Sequence, residues 1–247
     1  MPWRVAFLDA ALDSLIAQRR TDFDVHLYIP HACRRTGEAY VFPPSLRSRL
    51  AREPRIRVRP IATDYGPATK FLGPYDELRS GALGDIDAVI TADDDVLLER
   101  HAVEELVEAS TRLEDDVLGF MGVSEGRYVH AEHLAAEGLD ERTVSILGGY
   151  RAVLYPVSVL DQTLLDDYRA VAATCDPFLD DDHLASWNLA RRGVVRRVIA
   201  TAHPGPEFGL NATLLDLPGS IGGDDQIDRS HKALIAYYDA NGWPYPR

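Results

Sequence analysis

The sequence predicts an α/β fold built on a largely parallel sheet flanked by helices. Short β-branched runs alternate with helix-periodic segments at close spacing, the pattern of strand–helix–strand units. Prolines and glycines punctuate the chain between those segments. One buried-looking strand, DAVITA, runs directly into three consecutive aspartates. Open α/β sheets bind their ligands at such carboxyl ends.

The elements follow in order. Val5, Leu8, Leu12, Leu15 and Ile16 share a helical face. Asp24 to Pro30 (DVHLYIP) is a short strand closed by proline. Pro44 to Arg52 reads as a helix, and Arg55 to Ile61 as a strand. DYGPATK, Asp64 to Lys70, is a loop, after which Pro74 opens a short helix, since proline suits a first turn. Asp87 to Ala92 is the strand before the aspartates, His101 to Leu113 a helix and Val117 to Val123 one strand. Ser145 to Leu160 combines a glycine pair, an apolar strand and a proline stop. Helices are expected around Leu160 to Ala173, from Asp180–Asp182 to Arg192, and over Ile227 to Ala240; Val194 to Ala200 is strand-like. Gly205 to Asp225, rich in Gly and Pro, reads as a loop able to close over a ligand and exclude water. No internal repeat or low-complexity linker divides the 247 residues, so a single domain, 1–247, is expected. Its halves are 1–123, binding nucleotide, and 124–247, carrying acceptor and catalytic groups.

Bulk composition narrows the function. With 39 acidic against 26 basic side chains the formal charge is −13, which disfavours nucleic-acid binding through a phosphate-neutralising surface. Cys33 and Cys175, far apart, read as two reduced thiols rather than a disulfide framework. No apolar run approaches membrane-span length and Met-Pro-Trp-Arg does not open a signal peptide. A cytoplasmic protein is expected, with any membrane association peripheral.

Asp93-Asp94-Asp95 repel one another, and a hard divalent cation such as Mg²⁺ or Mn²⁺ relieves that repulsion. In an extended stretch Asp93 and Asp95 share a face while Asp94 points elsewhere. The alternative is that the triplet caps a helix starting near Leu98. Asp180-Asp181-Asp182 likewise stands at a helix start, where the dipole alone favours carboxylates. Lys70, in a Gly-Pro loop beside a sheet edge, suits a phosphate partner or is a solvated side chain.

DYGPATKFLGPYDEL followed by GDIDAVITADDDV, with LDSLIAQ and HLYIP upstream and GGYRAVLYP and FLDDDHLASWNLARRGV downstream, resembles bacterial glycosyltransferases of the GT-A type. A looser likeness to exostosin-like transferases accompanies it, and the resemblance runs from about Trp3 to Ile199. It implies a Rossmann-like nucleotide-binding sheet and transfer of a sugar from a nucleotide-diphosphate sugar to a saccharide or glycan acceptor. A UDP-sugar is the leading donor and a GDP-sugar the second. The resemblance makes Asp93 and Asp95 the nucleotide and Mn²⁺ or Mg²⁺ contacts, with Asp95 the direct ligand, and lets Asp94 reach the ribose or sugar. It places Asp64, Tyr65 and Lys70, and more weakly Arg79, on the nucleotide or its diphosphate, and Gly148 and Gly149 beside the donor sugar. It matches Asp181 and Asp182 to the acidic pair of the family. Asp182 would then be the catalytic carboxylate, taking the acceptor proton if configuration inverts. His203 is its candidate to complete the metal shell, with His231 a rival. Members of that family begin with a strand ahead of the segment matching PWRVAFLDAALDSL, whereas Met1 stands almost inside the first helix. Either residues upstream belong to the protein, or the sheet lacks an edge of its nucleotide-binding half and base recognition suffers. Two other readings stand beside transfer: nucleotidyl transfer, and a non-catalytic nucleotide- or sugar-binding protein on a decayed transferase fold.

Overall fold

A computed structural model describes residues 2–149, 151–203 and 224–246. The chain opens in a 3₁₀ turn, Pro2–Phe7, that runs into α1 (Leu8–Ile16). β1 (Val25–Pro30), α2 (Pro44–Leu50) and β2 (Ile56–Ile61) follow, and β1 and β2 pair in parallel as a sheet of their own. Val5, Leu8, Leu12, Leu46 and Ile56 form a small core under this unit. After a 3₁₀ turn at Gly66–Ala68 come α3 (Thr69–Ser80), β3 (Ala88–Thr91) and α4 (Ala102–Ser110).

The expected single strand over 117–123 is two. β4 (Val117–Gly119) and β5 (Met121–Ser124) belong to different sheets, with buried Phe120 between them. The sequence reading assigned nothing to the next stretch, which holds β6 (Arg127–His130), α5 (Ala131–Glu137) and β7 (Glu141–Thr143). The remaining elements are β8 (Ile146–Leu147), β9 (Val153–Pro156), α6 (Gln162–Ala172), α7 (Asp181–Arg191), β10 (Arg196–Ile199) and α8 (Asp224–Ala240). Of the stretch expected to form a closing loop, only Asp224 and Asp225 fall among the described residues, and both belong to α8.

The central sheet corrects the expectation of a mostly parallel one. Its order is β3-β9-β4-β10-β7, and only β4 and β10 pair in parallel. The reasons are β9, which returns between β3 and β4 and runs against both, and β7, which runs against β10. A third, antiparallel sheet joins β6, β5 and β8.

α3 also departs from expectation, with a consequence for Lys70. The helix begins at Thr69, and Pro74 sits inside it rather than opening it. Proline there cannot donate to the carbonyl of Lys70, a loss confined to one helical bond. Packing outweighs it, because Phe71, Leu72, Pro74 and Tyr75 are all buried. Gly73 lets the helix lie directly on β1, since a Cβ there would come within 2.7 Å of the Tyr28 ring. The Tyr28 hydroxyl donates to Glu77 at 2.7 Å and ties the same face down. Lys70 thus stands in the first turn of a helix fixed against the sheet.

The other half is fixed by one buried carboxylate. Asp167 on α6 accepts from Asn188 and Arg191 of α7 and from Tyr237 and Tyr238 of α8, at 2.7–3.2 Å. This network sets the register of α7, and so the direction from which its first turn meets the sheet.

Among the described residues β1 pairs with β2 alone and β3 with β9 alone, so each shows one edge without a strand partner there. Both strands, over residues 24–30 and 85–92, line a single cleft of about 1640 Å³. Among the described residues no helix is long and apolar enough to cross a membrane. Cys33 and Cys175 are both buried and not disulfide-bonded.

Candidate functional site

The cleft ends on carboxylates from two distant segments. β3 stops at Thr91, and Asp93, Asp94 and Asp95 follow in non-repetitive chain and a turn. α4 starts at Ala102 with His101 in its N-cap position, so the triplet does not cap that helix. Because the strand ends before the triplet, alternation no longer governs it. Asp93 points one way, to the ammonium of Lys70 at 2.9 Å, while Asp94 and Asp95 both turn to the guanidinium of Arg4, at 2.7 Å for Asp94. This corrects the expected grouping of Asp93 with Asp95 against Asp94.

Lys70 connects the triplet to α7. Its Nζ lies 3.0 Å from Asp181 and 3.8 Å from Asp182, in addition to Asp93. Asp180 holds the N-cap position of α7 without a side-chain cap bond, and Asp181 and Asp182 lie in its first turn, where the helix dipole favours carboxylates as the sequence suggested. Burial works against the charge on Lys70, yet the fields of Asp181, Asp93 and Asp182 outweigh it and hold the ammonium well above its usual range. Burial, and then the like charges of Asp182 and Asp93, push Asp181 up to about 7 in spite of Lys70. Burial raises Asp182 too, against the lysine and a Gly149 N–H bond. It likewise raises Asp94, against Arg4.

The two carboxylates of α7 differ in access. The side chain of Asp181 is 10% exposed and that of Asp182 33%. Both line the cleft, and Asp182 is the more accessible of the two.

Two glycines shape this meeting point. Gly66 has φ +61, and a Cβ there would stand 3.0 Å from the Phe178 carbonyl. The turn before α3 and the chain before α7 consequently touch backbone to backbone. Gly149 lies against the carboxylates themselves, its notional Cβ 2.5 Å from Asp182 Oδ1 and 2.7 Å from Lys70 Nζ. Gly148 faces Met121 instead. Gly149→Ala meets only the ends of flexible side chains and keeps a tolerated backbone angle, so the fold should hold while Lys70 and Asp182 shift. The overall secondary structure is expected to survive while the displaced Lys70–carboxylate contacts lower the melting temperature, read by circular dichroism and thermal unfolding.

The other expected contacts divide. Asp64 lines the cleft but already accepts from the Gly66 N–H at 2.8 Å and the Arg34 N–H at 2.7 Å, which makes it the lock of its turn. Tyr65 is 5% exposed, bonds Asp76 and packs edge-on to Tyr168, so its ring serves the core. Arg79 stands nine residues beyond Lys70 on α3, roughly 13 Å along the axis, and is largely exposed beside Asp76. His203 bonds Glu105 of α4 at 3.0 Å and stacks on His101 at 3.6 Å; it does not line the cleft. His231 joins Asp180 and His183 rather than the triplet. The sequence reading passed over Arg4 entirely, since nothing in its local pattern marks an arginine in an amino-terminal turn as a partner of residues ninety positions on.

No family model matches the chain, and none of the curated proteins compared with it matches. Among solved structures it is similar to a crystal structure of TarS from S. aureus, residues 1–349, at 13% identity. That alignment covers 97% of this chain and 71% of the other at a TM-score of 0.45, too shallow to carry any argument about activity.

Proposed function

We propose that this protein is a glycosyltransferase that moves a sugar from a nucleotide-diphosphate sugar to a saccharide or glycan acceptor. The observation that carries the reading is the convergence of Asp93, Asp181 and Asp182 on Lys70 at the end of one deep cleft. A reaction that expels a nucleoside diphosphate needs a positive site for the leaving group and a carboxylate able to take the acceptor proton. Lys70, already surrounded by three carboxylates, would supply the first only together with a bound cation. Asp182, more open than Asp181 and raised by burial, supplies the second.

The donor set of the triplet is oxygen only, which fits Mg²⁺ or Mn²⁺. Asp94 and Asp95, which converge on the Arg4 guanidinium, would hold the ion, while Asp93 is turned to Lys70. When bound, it would offset charge on the departing diphosphate. Arg4 and Lys70 already neutralise part of this acidic end, and that balance also suits a non-catalytic nucleotide- or sugar-binding protein.

Calorimetry with UDP and GDP, with Mn²⁺ and with chelator, tests the metal-dependent binding on which transfer relies. Binding should require the metal and be lost in Asp95→Ala. Nucleotide binding indifferent to both changes would overturn the reading. A panel of nucleotide sugars then separates the alternatives: released nucleoside diphosphate marks transfer or donor hydrolysis, and released pyrophosphate marks nucleotidyl transfer. Binding without any release marks the non-catalytic protein.

A further inference from the structure

Asp180 stands in the N-cap position of α7, where an aspartate ordinarily accepts an N–H from the first helical turn. It makes no such bond. Both of its oxygens turn instead to imidazoles. Oδ1 lies 2.7 Å from Nδ1 of His183, three residues into the same helix, and Oδ2 lies 2.7 Å from Nδ1 of His231 on α8. The two rings are 4.6 Å apart at 74°. The carboxylate is 7% exposed while the imidazoles are about a third exposed, so the group is built inward from a reachable face.

A simple helix clasp does not need this arrangement. One imidazolium on one carboxylate would join α7 to α8, and two charged rings at this separation repel. Among the described residues Asp180 pairs with no arginine or lysine. One ligand atom from each of Asp180, His183 and His231 lies within 4.8 Å of the others. Two imidazole nitrogens and a carboxylate oxygen are the protein share of a three-ligand site with a position left open. Such a set favours zinc and its neighbours over the magnesium and manganese that all-oxygen sites take.

We propose that Asp180, His183 and His231 bind one divalent transition-metal ion of the zinc class, separate from the oxygen-only aspartates 93–95. Each imidazole presents a lone pair to the ion, and any proton held at that nitrogen moves to the other ring nitrogen or to solvent. The ion would tie α8 to the first turn of α7, next to Asp181 and Asp182. It is a positioning site for those carboxylates and stands whether or not the transferase reading does.

Metal-free full-length protein titrated with Zn²⁺ and with Co²⁺ provides the test. One equivalent of Zn²⁺ should bind, raise the melting temperature, and resist competition by excess Mg²⁺. The Co²⁺ form should show the intense visible bands of a low-coordinate, nitrogen-containing site. His231→Ala and His183→Ala should each weaken Zn²⁺ by more than the roughly 10–100-fold that losing a mere outer-shell partner costs. The Asp93→Asn/Asp95→Asn double variant should leave it unchanged. His231→Gln, read by circular dichroism alongside the titration, separates lost ligation from lost folding. Failure to bind Zn²⁺ would overturn the proposal. So would binding unaffected by both histidine substitutions, or lost only with Asp93 and Asp95.

Discussion

Asp182→Asn is expected to lower turnover of the nucleotide sugar by about 10²–10⁴-fold while nucleotide affinity stays nearly constant. The amide keeps the shape of the carboxylate and can still accept the Gly149 N–H, so the geometry around Lys70 survives. What it loses is the ability to take a proton. Asp181→Asn should cost less in turnover, because Asp181 is the more buried of the two and is spent on the Lys70 ion pair at 3.0 Å. The pH profile supplies an independent check. A base must be deprotonated, and burial raises Asp182, so the wild-type rate should climb with pH through that raised value. The asparagine variant should lack that limb. Equal loss in both variants, or full turnover in Asp182→Asn, would remove Asp182 from the proposed role.

How much of this was legible in the sequence depends on how local the physics is. Strand and helix runs such as DVHLYIP or the apolar face of the first helix are local patterns, and they appear where expected. Sheet direction is not local. β9 inserts between β3 and β4, and nothing within VLYP says which neighbours it will meet. The 117–123 run divides at Phe120 for the same reason, since a residue-level pattern cannot show a strand changing sheets. Pro74 misled because its usual preference was outweighed by the burial of the helix around it.

The site divides along the same line. Lys70, Gly149 and the carboxylates 93, 181 and 182 were singled out, and they do meet in the structure. Their meeting depends on elements that the sequence reading left aside, notably the Asp167 network that holds α6, α7 and α8 together. Tyr65 was drawn to the ligand by its neighbours in DYGPATK, whereas its buried ring and its bond to Asp76 assign it to the core. Arg4 was invisible because its partners are remote. With Arg4 on Asp94 and Asp95, a cation entering there displaces a guanidinium rather than filling bare charge.

Lys70→Met is the most disruptive single change expected for stability. Replacing a whole buried ion pair by apolar groups is often neutral, but this substitution removes only the cation and leaves Asp93, Asp181 and Asp182 facing one another. The cost should be about 3–5 kcal/mol near pH 8 in metal-free buffer, measured by urea unfolding. Its pH dependence follows from the direction of each shift. The ammonium is held above its ordinary value, so its contribution is present below that value and is lost only as strongly alkaline pH deprotonates it. Asp181 is raised to about 7, so the folded state binds more protons than the unfolded one between its ordinary value and that point. Stability therefore falls as pH rises through this window, and without Lys70, which lowers Asp181 and Asp182, these two titrate higher still and the fall steepens. The gap between wild type and Lys70→Met should be largest near pH 8 and shrink as pH falls below about 7, where Asp181 takes up its proton and no longer repels its neighbours. A gap independent of pH would mean that Lys70 acts through packing of its alkyl stem. A gap that closes in acid would identify it as the charge that lets both acidic clusters share one cleft.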